Sequence, residues 1–131
     1  MNIVNATISS IVSEEKVTLV GFSVGQEQLE MVSLGISEQL VLGSRVRLGI
    51  KATNIALSQQ KLHDVSITNQ VETIITALEM GSLLCLVHFS FEGVAWESVI
   101  TQKSAVEMQL RVGEKVFVLI KSSDLSIVEA L

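Results

Sequence analysis

Two stretches of this chain, "VRLGIKATNIALS" (46–58) and "VFVLIKSSDLSIV" (116–128), follow the same pattern. Each has an apolar run that ends in a lysine, then small residues, and then a second short apolar run. Successive side chains of a β-strand point to opposite faces, so Val46, Leu48 and Ile50 face one side together. The pattern therefore predicts a buried strand, a turn rich in small residues and a further short strand, twice in one chain.

These two stretches belong to a repeat that covers almost the whole sequence. An offset of 67 residues pairs Asn2 with Asn69, and after a three-residue change in length an offset of 70 pairs Gly43 with Gly113. The polar segment "SQQKLHDVS" (58–66) between the two copies is typical of a linker. The sequence therefore predicts two copies of one small module.

Each copy predicts three strands, a short helical turn and two further strands. This is the element order of a small OB-type barrel. We therefore expect an all-β chain of two tandem five-stranded OB-like barrels, residues 1–60 and residues 61–131, each with one short helical turn. In the second copy, Ser104 and Glu107 of "SAVE" fit a capping box at the start of that turn.

Charge and composition exclude several classes of partner. Nine basic residues against fourteen acidic ones give a net charge of −5, and aromatic residues make up only 4% of the chain. A nucleic-acid binder generally needs a basic surface and stacking aromatics, so nucleic acid is not expected. No uninterrupted apolar run approaches the roughly 18 residues of a membrane span. The first residues lack the features of a signal peptide, and Cys85 is the only cysteine, so the sequence predicts a cytoplasmic protein without membrane insertion.

Catalytic and metal-binding motifs also lack the context that they need. "GFSVG" (21–25) fits the Gly-x-Ser-x-Gly pattern, but Ser23 lies within a predicted strand and not at a strand-to-helix turn. Cys85 and His88 are three positions apart on a predicted strand, so they face opposite sides and cannot chelate one cation. We therefore predict that the chain is not an enzyme, with no catalytic residues and no direct cation ligands.

With the repeat established, "ITQKSAVEMQLRVGEKVFVLIKSSDLSIV" (100–128) resembles a molybdate-binding Mop module of the TOBE-like kind. The shared features are Ile-Thr-x-x-Ser-Ala, a Leu-x-x-Gly turn and a strand that ends in Ile-Lys followed by small residues. "SITN" (66–69) resembles the Ser-x-Arg-Asn opening of that module, with Thr68 in place of the arginine, and Met1 holds the matching position of the first copy. The whole chain resembles a two-module molbindin or the C-terminal domain of a molybdate ABC importer ATPase.

This resemblance implies a function and partners. It implies binding of molybdate or tungstate as the oxyanion ligand, without chemistry on it and without an organic cofactor, for storage or homeostasis. The alternative is a detached oxyanion-sensing domain that acts on a transporter ATPase or another partner. It also implies a homo-oligomer, with a trimer favoured over a dimer. Phe117 and Leu119 agree with an oligomer, because alternation places both on the outer face of a barrel, where they need cover.

The candidate site residues follow from the chemistry of a tetrahedral dianion, which needs several convergent N–H and O–H donors. A strand end with a lysine, small side chains and free amides can supply them. The candidates are Lys51, Ala52, Thr53, Ser66, Asn69, Lys121, Ser122 and Ser123. The fuller motif of the second copy predicts tighter binding beside Lys121 than beside Lys51.

Structural roles for these candidates remain open at this stage. A lysine at a strand end is commonly a solvated surface residue with turn-forming neighbours. Ser66 and Asn69 equally suit turns in which their side chains bond the local backbone. Ser104 is explained as a helix cap without any role as a ligand.

Overall fold

The computed structural model describes residues 1–131 and contains ten strands and one short α-helix. The second half contains three strands, then the helix and then two strands, which is the order that the sequence predicts. With α1 as its only α-helix, the chain has no helix of the length and apolarity that a membrane span requires. The elements are β1 (Asn2–Glu14), β2 (Val17–Val24), β3 (Glu27–Ser33), β4 (Arg45–Ile50), β5 (Ile55–Ser58), β6 (Asn69–Met80), β7 (Leu84–Phe91), β8 (Val94–Thr101), α1 (Gln102–Glu107), β9 (Lys115–Ile120) and β10 (Ser126–Ala130).

The strands form two five-stranded antiparallel sheets. Their orders are β10-β4-β1-β2-β3 and β5-β9-β6-β7-β8, and consecutive strands pair through tight turns in each half. The predicted fold class, an all-β chain with two five-stranded OB-like units, is therefore confirmed.

The fifth strands are exchanged between the two halves. β5 pairs with β9, where Ile55 lies opposite Ile120, and β10 pairs with β4, where Ser126 lies opposite Gly49. Each half therefore supplies the strand that completes the sheet of the other half. The division into residues 1–60 and 61–131 describes the sequence repeat, and as a domain boundary it stays a prediction.

The two halves share their irregularities as well as their element order. A bulge follows Ile8 in β1, and another follows Ile75 in β6. Gly43 donates its amide hydrogen to the Ile8 carbonyl at 2.8 Å, and Gly113 donates to Ile75 at the same distance. Both glycines have a φ near 90°, a backbone conformation that a residue with a Cβ rarely adopts. The alignment of Gly43 with Gly113 thus marks one turn that the chain forms twice.

The hydrophobic core joins the two sheets. A cluster of 19 buried residues includes Phe22 and Leu48 from the first sheet together with Phe89 and Trp96 from the second. A smaller cluster of six lies beneath α1 and includes Cys85, and burial raises the pKa of its thiol. Separating the sheets would expose the larger cluster, so the two halves stabilise each other.

The helical turns differ from the prediction in two ways. α1 begins at Gln102 with Thr101 as its N-cap, because the Thr101 hydroxyl accepts the Ser104 amide hydrogen at 3.1 Å. The capping box of Ser104 and Glu107 is therefore wrong, since Thr101 is itself a capping residue and lies three positions earlier. In the first half, the matching segment is three residues shorter and forms hydrogen-bonded turns without an α-helix, with Leu40 donating to the Ser37 carbonyl at 3.0 Å.

The outer face of β9 also differs from the prediction. Leu119 is only 6% exposed, so the single chain already covers it. Phe117 is half-buried, and the ammonium group of Lys115 lies 6.0 Å from the centroid of its ring. The need for a partner subunit therefore does not follow from Leu119.

Candidate functional site

The two lysine-bearing segments form matching turns where the chain passes from one sheet to the other. We call Lys51–Asn54 the first crossing turn and Lys121–Asp124 the second. In both turns the amide of the fourth residue donates to the carbonyl oxygen of the first residue at 2.9 Å. Each turn directly follows a fully buried isoleucine and precedes a buried residue of the core. Burial on both sides therefore fixes the position of each turn at a junction of the sheets.

Both turns present groups that suit an anion. Lys51 and Lys121 are exposed, and neither takes part in the four ion pairs of the chain. Five other lysines and arginines also form no ion pair, so an unpaired charge alone does not indicate a site. Lys51 and Lys121 differ from those five because each begins a crossing turn. The first amides of a helical turn have no partner within that turn. A crossing turn thus combines a free ammonium group with backbone donors on a few residues.

The small residues of the turns lie in different environments. Ala52 and Ser122 are half-buried, whereas Thr53 and Ser123 are exposed. Ser123 also lines a groove of about 720 Å³ that runs beside β10 and the 33–44 segment. The groove lies beside the segment where the first half forms turns in place of an α-helix. Ser123 is therefore shared between the second crossing turn and the rim of the groove.

Two asparagines clamp the sheets together beside the crossing turns. The side-chain oxygen of Asn69 accepts the Glu30 amide hydrogen at 2.8 Å, and its nitrogen donates to the Glu30 carbonyl at 2.8 Å. Asn2 binds the backbone of Glu97 in the same way, at 2.9 and 2.8 Å. Both asparagines are buried. Asn69 thus has a structural role as one of two asparagine clamps, at the position that the repeat pairs with Asn2.

The predicted residues of the "SITN" opening separate in the structure. Asn69 lies opposite Ile120 in the β6–β9 pair, and Ile120 directly precedes Lys121. Ser66 is exposed and lies before β6, and its side chain makes no hydrogen bond within the chain. The structure therefore brings Asn69 to the start of the second crossing turn, whereas Ser66 lies in the exposed segment before β6.

A carboxylate that sequence reasoning missed reaches the second crossing turn. The Glu30 Oε1 atom lies 3.3 Å from the Ser122 hydroxyl oxygen, and Val32 of the same strand donates its amide hydrogen to the Ser122 carbonyl at 3.0 Å. The residue that matches Glu30 at the offset of 67 is Glu97 of β8, and its carboxylate lies 3.7 Å from a ring nitrogen of His88. Ninety-two positions separate Glu30 from Ser122 in the chain, so no local pattern signals this contact.

Comparison with known proteins separates the two halves of the chain. Residues 65–127 match the TOBE domain. The match takes in Ser66, Asn69 and the second crossing turn, and it covers just under half of the chain. No curated protein matches the chain by sequence.

Solved structures resemble the chain over a longer range. The cytoplasmic molybdate-binding protein ModG, in a crystal form with molybdate bound, aligns with a TM-score of 0.88 and 22% identity, over 95% of this chain and 93% of that chain. At this identity the likeness establishes the fold. A molybdate-binding protein from Sporomusa ovata aligns with 21% identity and a TM-score of 0.49, over 51% of this chain and all of that chain.

Proposed function

We propose that this protein binds molybdate or tungstate in the cytoplasm, for storage or homeostasis of the oxyanion. The second crossing turn carries this proposal, because its unpaired lysine lies within the TOBE match. The fold of the whole chain, which resembles that of a molybdate-binding protein, supports the same ligand class. The anion is held as a ligand and no bond to it is made or broken.

Binding relies on charge and on donors. An ammonium group and backbone N–H groups form charge-assisted hydrogen bonds with a dianion, and these are stronger than bonds between neutral groups. Ala52 and Ser122 have small side chains, so an anion can approach the backbone of either turn closely. Thr53 and Ser123 add hydroxyl donors at the exposed side. Ser66 and Asn69 complete the proposed set of residues.

One crossing turn offers too few donors to replace the hydration of a dianion, so we propose that turns from more than one chain converge on each anion. Large exposed apolar side chains support an assembly, since Leu34 is 86% exposed and Leu83 is 80% exposed. A homo-oligomer with closed symmetry would cover them. A trimer is favoured and a dimer is the runner-up.

Native mass spectrometry should show this assembly directly. We expect a trimer at micromolar concentration, and added sodium molybdate should raise its mass by whole numbers of bound anions. A dimer would support the runner-up. A monomer in both conditions would contradict the proposal that chains share the sites.

The module organisation is part of the same proposal. We take the chain as tandem Mop modules, residues 1–60 and 61–131, in the manner of a two-module molbindin. The matching bulges, glycine turns and asparagine clamps of the two halves support two equivalent units. The alternative is a detached sensing domain that acts on a transporter ATPase, as the resemblance of the second copy suggests. Recovery of such an ATPase with the tagged protein, dependent on molybdate, would favour that alternative.

The lysines of the crossing turns provide the direct test of binding. Loss of a charged partner from a partly buried site costs about 2 kcal/mol, so Lys51→Ala and Lys121→Ala should each weaken molybdate binding at their own turn about thirtyfold. Calorimetric titration of sodium molybdate into the intact protein measures this effect. Lys103→Ala, which removes an unpaired lysine outside both turns, is the matched control and should leave the affinity unchanged. No heat with the wild type, or unchanged affinity in the double variant, would contradict the proposed function.

A further inference from the structure

The position of Glu30 beside the second crossing turn is fixed from two sides. The Asn69 clamp holds its backbone N–H and C=O, each at 2.8 Å. Two residues later, Val32 donates its amide hydrogen to the Ser122 carbonyl at 3.0 Å. Because these three hydrogen bonds hold β3 against β6 and the turn, the Glu30 carboxylate stays within reach of the Ser122 hydroxyl, 3.3 Å away.

This carboxylate competes with an anion for the same donor. A serine hydroxyl has one proton to donate, so a Ser122 hydroxyl bonded to Glu30 is not available to another acceptor. The negative charge of Glu30 also repels a dianion, and the repulsion grows as the site loses water. Lys121 does not cancel that charge by direct contact, since no ion pair of the chain includes it.

The first crossing turn lacks this competitor. Asn2 clamps the backbone of Glu97 as Asn69 clamps Glu30, but the Glu97 carboxylate lies beside His88, at 3.7 Å from its Nδ1 atom. Ala52 stands where the second turn has Ser122, so no hydroxyl holds a carboxylate there. The second turn also contains an acidic residue, Asp124, where the first has an asparagine.

From this asymmetry we infer that Glu30 sets the anion affinity of the second crossing turn and makes it the weaker of two unequal sites. This inference rests on the proposed function and deepens it. An anion that enters the second turn must replace Glu30 as the acceptor of the Ser122 hydroxyl hydrogen and tolerate the charge of Glu30. The first turn then binds more tightly, which reverses the order that the fuller motif of the second copy predicts.

The test is calorimetric titration of sodium molybdate into variants of the intact chain. In a Lys51→Ala background, which leaves the second turn as the stronger proposed site, adding Glu30→Gln should tighten binding about tenfold. Glutamine keeps the size of the Glu30 side chain while it removes the charge. Glu97→Gln in the same background is the matched control and should leave the affinity unchanged. Asp124→Asn distinguishes Glu30 from the other acidic residue of the turn.

Each outcome decides a different point. If the wild type binds molybdate and Glu30→Gln leaves the affinity of the Lys51→Ala background unchanged, the inference is wrong and the proposed function stands. Tightening by Asp124→Asn and not by Glu30→Gln would also overturn the assignment to Glu30. Tightening of the Lys51→Ala background by Glu30→Gln and not by Asp124→Asn would support it. If neither the wild type nor any variant binds, the proposed function fails and the inference fails with it.

Discussion

Replacing Trp96 with alanine should lower the free energy of unfolding by about 4 kcal/mol, a typical loss for a buried aromatic residue. Trp96 is only 2% exposed and packs edge-on against Phe91, with ring centroids 4.8 Å apart. Its indole N–H donates to the Ile3 carbonyl at 3.1 Å, so alanine would leave both a cavity and an unpaired oxygen. Urea denaturation followed by far-UV circular dichroism measures the change, because the variant has no tryptophan fluorescence.

A matched variant separates the two parts of this effect. Trp96→Phe keeps much of the apolar volume and removes the N–H donor, so we expect a loss of about 2 kcal/mol. Because Ile3 belongs to the first sheet and Trp96 to the second, both halves should unfold in one transition in each variant. A loss below 1 kcal/mol for Trp96→Ala, or two separate transitions in the wild type, would contradict the shared core.

The second large effect is expected at the asparagine clamps. Asn69→Ala removes two hydrogen bonds and leaves the N–H and C=O of Glu30 without their partner, so the free energy of unfolding should fall by about 3 kcal/mol. Asn2→Ala should cost a similar amount, since Asn2 binds the Glu97 backbone with the same geometry. Urea denaturation of both variants provides the measurement.

Asn5 is the control for these clamps. It lies on the same strand as Asn2, and its side chain only accepts a long, exposed hydrogen bond of 3.5 Å from Arg47. Asn5→Ala should therefore change the free energy of unfolding by no more than about 0.5 kcal/mol. Equal losses for Asn5→Ala and Asn69→Ala would show that the clamps do not contribute more than an ordinary surface asparagine.

The sequence predicted those parts of the fold that depend on local pattern. Alternation identified the strands, because a half-buried strand needs its apolar side chains on one face. Gly43 and Gly113 identified the repeated turn, because its backbone conformation excludes most other residues. Both signals lie within a few neighbouring positions, where a single sequence is most informative.

The exchange of β5 and β10 could not be predicted in this way. "NIALS" and "DLSIV" are short, apolar and equivalent in the repeat, so either could pair with β4 or β9 by pattern alone. Their partners are decided by the direction in which the crossing turns leave β4 and β9, which is a property of the packed sheets. The start of α1 was missed for a smaller reason, since Thr101 and Ser104 are both residue types that cap helices and the local sequence does not choose between them.

The candidate site was also predicted only in part from the sequence. The lysines and small residues of the crossing turns could be read from the repeat, because both copies place them directly after a strand. The structural role of Asn69 and the approach of Glu30 could not, because both depend on contacts between residues 39 or more positions apart. The sequence thus located the donors and missed the group that competes for them.

The strand exchange also sets an order of events during synthesis on the ribosome. β1 to β4 emerge early, yet the strand that completes their sheet, β10, consists of residues 126–130. Until these residues leave the exit tunnel, the edge of β4 has unpaired backbone N–H and C=O groups, and an open edge of this kind can pair with another chain. In the second half, by contrast, β5 is already present when β9 emerges. The first half to be translated is therefore the last to close, and its open edge is exposed to mispairing until residues 126–130 appear.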